Sequence, residues 1–162
     1  MLDAYTNKGN SLMELSKQRK VMLVFLRHFG CNFCKETLSL LEKNKEQLLN
    51  SPSKVVIVHQ SSREHANKVL DIYSLSQFEH VSDPSCIVYK AFGIEQHSYL
   101  ELLKPSVIWG TLKGILMGHL PGKINGDPLQ KPGIMVVKDA SIVESFNYSN
   151  IASKPPLLRM AS

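Results

Sequence analysis

The chain has 162 residues, with 19 basic and 14 acidic side chains and a formal net charge of +5. That is room for one ordinary domain and not for two, and the mild, scattered positive charge excludes the basic stripe of a nucleic-acid binder. Hydrophobic residues make up 43% and charged residues 20%, the balance of a globular chain that buries a core. Three cysteines are too few for a disulfide framework. Residues 1–8 contain no apolar h-region. No run approaches the roughly 20 apolar residues of a membrane helix. A cytoplasmic protein without a leader, a membrane span, a cofactor or a metal is therefore expected.

Residues 2–15 read as a small hairpin turning at Asn7-Lys8-Gly9-Asn10, because Asn and Gly accept positive φ. A polar link over 16–20 leads into a strand over 21–27. That strand is apolar on both faces, as a central parallel strand covered by helices should be. A helix is predicted over 32–49, with Cys34, Leu38, Leu41 and Leu48 on one face and Asn50-Ser51-Pro52 as its stop. Lys54 to Val58 is the next buried strand. Ser61 and Glu64 make a capping box for a helix with the apolar stripe Ala66, Val69, Leu70 and Tyr73. Strand–helix–strand–helix predicts parallel pairing with right-handed crossovers.

A short strand over 78–81 precedes Ser82-Asp83-Pro84, where Asp83 is the expected N-cap and Pro84 the first helical residue. Gly93 ends that helix in the left-handed conformation. Cys86 reads as a buried structural thiol rather than a second resolving one. Residues 98–120 are read as an inserted helix, with Gly110, Gly114 and Gly118 for close packing and Trp109 in the core. A loop over 120–131 ends at Pro132, which precedes a buried strand and is as well suited to a cis as to a trans bond. Asp139-Ala140-Ser141 turns the chain, and 142–147 returns antiparallel with Ile142, Glu144 and Phe146 on one face. Residues 148–162 read as a loop or short helix forming a loosely ordered tail.

The chemistry concentrates in Phe29-Gly30-Cys31-Asn32-Phe33-Cys34-Lys35-Glu36, at a strand-to-helix junction. A Cys-x-x-Cys in that setting is the sequence form of a redox-active dithiol. Thiols three residues apart can close a disulfide across one helical turn. The helix N-terminus, worth about half a positive charge, favours a thiolate there. Arg27 and Lys35 have the sign to help. Cys31 is expected to be the more exposed nucleophile and Cys34 the partner that resolves it. His28 with the two cysteines supplies three metal ligands, one short of a structural zinc site. As a strand-end histidine, His28 fits a structural hydrogen bond better than a proton shuttle.

Taken together, the hairpin, Phe-Gly-Cys-x-Phe-Cys-x-Glu, Ser82-Asp83-Pro84 with Tyr89-Lys90-Ala91-Phe92-Gly93, the insertion, Gly126-Asp127-Pro128-Leu129-Gln130 and the closing hairpin carry a resemblance. The chain resembles the peroxiredoxin-like branch of the alkyl hydroperoxide reductase/thiol-specific antioxidant family, over nearly its whole length. The resemblance implies one α/β, thioredoxin-like domain over 1–162, with a mixed central sheet flanked by helices. In such a fold a cis-proline at Pro132 would face the CxxC and offer backbone groups to a bound substrate. The implied activity is that of an antioxidant thiol oxidoreductase acting through Cys31 and Cys34. Arg27, Lys35 and Pro132 are the candidates for thiolate stabilisation or substrate binding. The implied partners are thioredoxin or another dithiol and a hydroperoxide or protein disulfide, with no nucleic acid and no membrane.

One departure matters. Ordinary peroxiredoxins carry Pro-x-x-x-Thr-x-x-Cys; with Cys34 in the cysteine place, Arg27 stands for the proline and Cys31 for the threonine. Thioredoxin logic favours attack by Cys31 and peroxiredoxin logic by Cys34; the reading here takes Cys31. Three functions follow: hydroperoxide reduction, protein disulfide reduction, or a non-catalytic module whose CxxC senses redox state.

Overall fold

The computed structural model describes residues 3–96, 109, 112, 116, 126–148 and 155–162. In chain order the elements are α1 (Leu12–Gln18), β1 (Val21–Phe25), α2 (Asn32–Lys43), α3 (Lys45–Leu49), β2 (Lys54–His59), α4 (Arg63–Ile72), β3 (Glu79–Ser82), α5 (Ile87–Ala91), β4 (Gly133–Lys138), β5 (Ser141–Asn147) and α6 (Leu157–Ala161). The five strands form one mixed sheet in the order β3-β2-β1-β4-β5. β1 pairs parallel with β2, and β2 parallel with β3. β4 runs antiparallel to both β1 and β5.

Alternation along β1 sorts its side chains between two cores. Met22 and Val24 join Leu38 and Leu41 of α2, Ala66 and Leu70 of α4, and Leu157 and Met160 of α6. Val21, Leu23 and Phe25 join Leu12 of α1 and Val88, Tyr89 and Phe92 around α5. All five β1 residues are buried because helices cover both faces. The apolar run in the sequence reports that directly.

Local chemistry moves several boundaries. The expected hairpin over 2–15 is cut down to a turn closed by one bridge, Tyr5 to Ser11. The 16–20 link shrinks likewise, because residues 12–18 are helical and Ser11 caps them by accepting from the Glu14 N–H at 3.2 Å. The helix over 32–49 breaks at Asn44, whose side chain donates to the Leu40 carbonyl and satisfies a group the helix leaves open. Ser62, not Ser61, caps α4. Asp83 works as a cap at a distance: its carboxylate accepts from the N–H groups of Ile87, Val88 and Tyr89 at 2.9, 2.7 and 3.2 Å. Pro84 is therefore outside the helix, and the residue before α5 is Cys86, held at φ 54°. Gly93 takes φ 68°, the expected left-handed end.

The N-terminal turn is tied down by a buried acid. Glu79 accepts from Thr6 and Asn10 at 2.7 and 2.8 Å and pairs with Lys54 at 2.7 Å. Most of the inserted helix expected over 98–120 lies outside the described residues. Trp109, Leu112 and Leu116 are helical and exposed; Trp109, at 71% exposed, does not fill core. In the last residues α6 packs Leu157, Met160 and Ala161 into the α2 side of the sheet.

Candidate functional site

The site forms where β1 ends. Beyond Phe25 the chain leaves the sheet with Leu26, Arg27 and His28 still buried, then turns into α2. Tyr89 fixes this exit from below, its hydroxyl donating to the Leu26 carbonyl and reaching the Val58 carbonyl at 3.1 Å. The Cys31 N–H donates to the His28 carbonyl, and the Lys35 N–H to the Cys31 carbonyl, each at 3.0 Å. Cys31 is thus the N-cap of α2, with extended φ and ψ of −78° and 130°. Cys34 lies one turn in.

The two thiols are free and both buried, Cys31 at 8% and Cys34 at 2% exposed. The expected order of exposure holds by a small difference. Their electrostatics separate far more. The Cys34 thiol donates toward Cys31, the Arg27 guanidinium adds its charge, and the Cys34 and Phe33 N–H groups point to the same sulfur; together they outweigh burial and lower Cys31 to about 6. Burial, with Cys31 as neighbour, pushes Cys34 well above the ordinary thiol value. The two shifts run in opposite directions, favouring the anion on Cys31 and the proton on Cys34. A thiolate next to a thiol is the arrangement in which one sulfur attacks and the other supplies a proton or a second bond.

Arg27 serves both. Its main-chain N–H donates to Cys34 Sγ at 3.2 Å, and its Nε donates to the Pro128 carbonyl. Gln60 braces the arrangement: its amide nitrogen donates to the Arg27 carbonyl, and its amide oxygen accepts from the Asp127 N–H. Gly126, at φ +119°, lies so close that an added Cβ would sit 2.6 Å from Gln60 Oε1. The Gly126-Asp127-Pro128 loop therefore sets Arg27 from two sides.

A small enclosed cavity, ≈ 10 Å³, joins Arg27, Cys31, Cys34, Thr37, Pro132 and Tyr148. Leu26 and Phe33 supply the rest of its wall. Three expectations meet here in Arg27 and the cysteine pair, and a fourth in Pro132. The Pro132 bond is trans, however, since no described peptide bond is cis. Lys35 does not line this cavity; it is half-buried on the first turn of α2, and the cation that acts on Cys31 is Arg27. His28 is neutral, lowered to about 4 by burial and by Arg27, and its Nδ1 has no hydrogen-bond partner among the described residues. Cys86 belongs to the other core, where burial and Asp83 raise it to about 11. Among the described residues no group of three or more His, Cys, Asp or Glu is placed to hold a metal ion.

Thr37, Gln60 and Tyr148 escape a reading of the sequence. Thr37 sits three residues after Cys34, and helical spacing is the signal that could have found it. Gln60 and Tyr148 reach the site only through sheet register, for which the local sequence carries no signal.

Comparison with known proteins places this fold. The model of the AhpC/TSA family matches residues 2–145. Peroxiredoxin-like 2C of Bos taurus is 27% identical over 138 residues, covering 76% of this chain and 58% of that protein. The chain thus spans 58% of the length of this curated relative. Among solved structures, the yeast mitochondrial 1-Cys peroxiredoxin superposes with a TM-score of 0.65 at 14% identity, covering 99% of this chain and 69% of the other. Peroxidoxin BcpB from Mycobacterium tuberculosis superposes with a TM-score of 0.58 at 13% identity, covering 93% and 84%. Sheet order, the cysteine-bearing turn and the match over 2–145 lead to one conclusion: this chain belongs to the AhpC/TSA family and has the peroxiredoxin-like form of the thioredoxin fold.

Proposed function

We propose that this chain is a thiol oxidoreductase that reduces hydroperoxides through Cys31 and Cys34. The observation that carries the reading is the split between the two sulfurs, Cys31 lowered to about 6 and Cys34 raised. In this scheme the Cys31 thiolate attacks the terminal oxygen of a hydroperoxide. The O–O bond breaks, the alkoxide leaves and takes a proton, and Cys31 becomes a sulfenic acid. The Cys34 thiol then attacks that sulfur; a Cys31–Cys34 bond forms and water leaves. An external dithiol restores both thiols by exchange, supplying two electrons and two protons. In the yeast mitochondrial 1-Cys peroxiredoxin, the thiol is resolved via the glutathione and thioredoxin systems. A dithiol of the thioredoxin kind is the reductant proposed here, in the cytoplasm, where such systems keep thiols reduced.

A second reading, protein disulfide reduction, draws on one observation. Cys31 stands where ordinary peroxiredoxins place the peroxide-orienting threonine. NADPH consumption coupled through thioredoxin reductase and thioredoxin separates the two. Hydroperoxide and an insulin-type disulfide are offered to wild type, Cys31→Ser and Cys34→Ser. Hydroperoxide turnover that vanishes in Cys31→Ser supports the main reading. Turnover with the protein disulfide alone replaces it by the second.

A further inference from the structure

Two cavities share a wall beyond the end of β5. The inner one contains both thiols and has a volume of ≈ 10 Å³, the space of about one water molecule. The outer one is a groove of ≈ 280 Å³ between Ile94, Glu95, Lys131 and Asn147. Two residues, Pro132 and Tyr148, line both. Pro132 has no side chain to rotate and directly precedes β4, so its place is set by the sheet. Tyr148 directly follows β5. Its ring meets Phe146 edge-on at 5.1 Å and 74°, and its hydroxyl faces Thr37 on α2. Of the two shared walls, only Tyr148 has side-chain bonds about which it could turn. Its ring lies between the thiols and the groove.

Burial raises the Tyr148 phenol well above its ordinary value, with Cys34 and Glu36 acting in the same direction. The ring is therefore a neutral wall at any working pH. It blocks by its volume and not by repelling charge.

We propose that Tyr148 is the specificity-determining residue of the thiol site: its ring admits hydrogen peroxide to Cys31 and holds back organic hydroperoxides, whose carbon substituent belongs in the Lys131–Asn147 groove. This rests on the thiol peroxidase reading for the identity of the oxidants. The gating itself is independent of that reading, and the test separates them.

Two ratios are measured for wild type, Tyr148→Ala and Tyr148→Phe. One is the rate with cumene hydroperoxide over the rate with hydrogen peroxide. The other is the rate of alkylation at Cys31 by a pyrene maleimide over that by iodoacetamide, read by mass spectrometry on the reduced protein. Tyr148→Ala is expected to raise both ratios about tenfold, the scale of an aromatic contact and a hydrogen bond lost from the closed form. Tyr148→Phe keeps the ring and loses one hydroxyl contact, so it is expected to raise the ratios by only roughly two- to threefold, less than Tyr148→Ala. If Tyr148→Ala does not give the wild-type circular dichroism spectrum, Tyr148→Leu takes its place, with the same direction expected. Ratios unmoved in the folded variant overturn the proposal, and so does an alkylation shift alone when peroxide turnover is present. Absence of peroxide turnover in every protein, with the alkylation ratio raised, overturns the peroxidase reading and leaves the gate standing.

Discussion

Arg27 touches the two thiols with different parts of itself: its main-chain N–H donates to Cys34 Sγ at 3.2 Å, while its guanidinium charge helps to lower Cys31. A substitution removes the second effect and leaves the first. The Cys34 hydrogen bond is nevertheless the larger cause at Cys31, so the two can be ranked. Arg27→Gln is expected to slow iodoacetamide alkylation of Cys31 by roughly three- to tenfold at pH values near 6. Cys34→Ala is expected to slow it more. The reverse order, from full pH–rate profiles, would show that charge and not the neighbouring thiol governs Cys31.

Wild-type Cys31 sets the pH dependence of any reaction that begins with its attack. With a value of about 6, the thiolate is the major form at neutral pH and is lost as pH falls through that value. Reaction rates should rise through about pH 6 and then level off, well below the range of an ordinary thiol. A profile still climbing between about pH 7.5 and 9 would place the attack on an unperturbed cysteine.

The Gly126 and Gln60 contact ties stability to reactivity. Gly126→Ala asks an L-residue to adopt φ +119° and puts a Cβ 2.6 Å from Gln60 Oε1. The expected cost is about 1–3 kcal/mol in urea unfolding. Because Gln60 also holds the Arg27 carbonyl, the variant should slow Cys31 alkylation. Loss of stability with unchanged alkylation kinetics would confine Gln60 to a structural role.

Acid should unfold this protein through its histidines. His59 Nε2 lies 2.8 Å from His80 Nδ1, and His80 Nε2 lies 2.8 Å from Asn67 Oδ1. The Asn67 oxygen accepts only, so His80 donates to it and accepts from His59; both rings are neutral. Burial, with the repulsion that a second proton on His80 would bring, lowers His59 to about 3. Burial, with Arg63, lowers His80 to about 4. Below the ordinary value of 6.5 the unfolded chain takes up protons that the folded chain refuses. The stability is fully present above 6.5 and falls as pH drops toward 4, by up to roughly 1.4 kcal/mol per pH unit for each histidine. Glu79, which burial would raise but Lys54, Asn10 and Thr6 hold at about 2, adds a second loss only below its ordinary 4.5. Urea midpoints that stay flat from about pH 7 to 5 would contradict the neutral pair.

What the sequence discloses depends on how far the cause of each feature lies along the chain. β1 is legible because one run of apolar side chains reports two covered faces. The turn that brings Cys31 and Cys34 together is legible because both cysteines lie within one helical turn of the same strand-to-helix junction. The start of α1 is also present, in Ser11 and Glu14 three residues apart, but the Asn7–Asn10 turn points to a hairpin. Asp83 is recognisable as a cap, although not that its carboxylate spans to Tyr89. Side-chain type alone assigns Trp109 to core, and exposure is a property of what packs nearby. Gln60 and Tyr148 become part of the site through strand pairing, which joins residues far apart in sequence. The trans bond at Pro132 likewise depends on how the preceding loop arrives at β4.

Under the proposed thiol chemistry, the division of three cysteines between two apolar clusters also bears on an electron count. Cys31 and Cys34 share one core, and Cys86 sits in the other with Tyr89 and Val88. A chain with three interchangeable thiols could shuffle its disulfide among three pairings and strand itself in two of them. Here the third sulfur sits in the opposite cluster, and burial with Asp83 raises its thiol to about 11. Under that chemistry, oxidation of the folded chain is expected to stop after two electrons, leave the single pairing of Cys31 with Cys34, and keep Cys86 as a thiol.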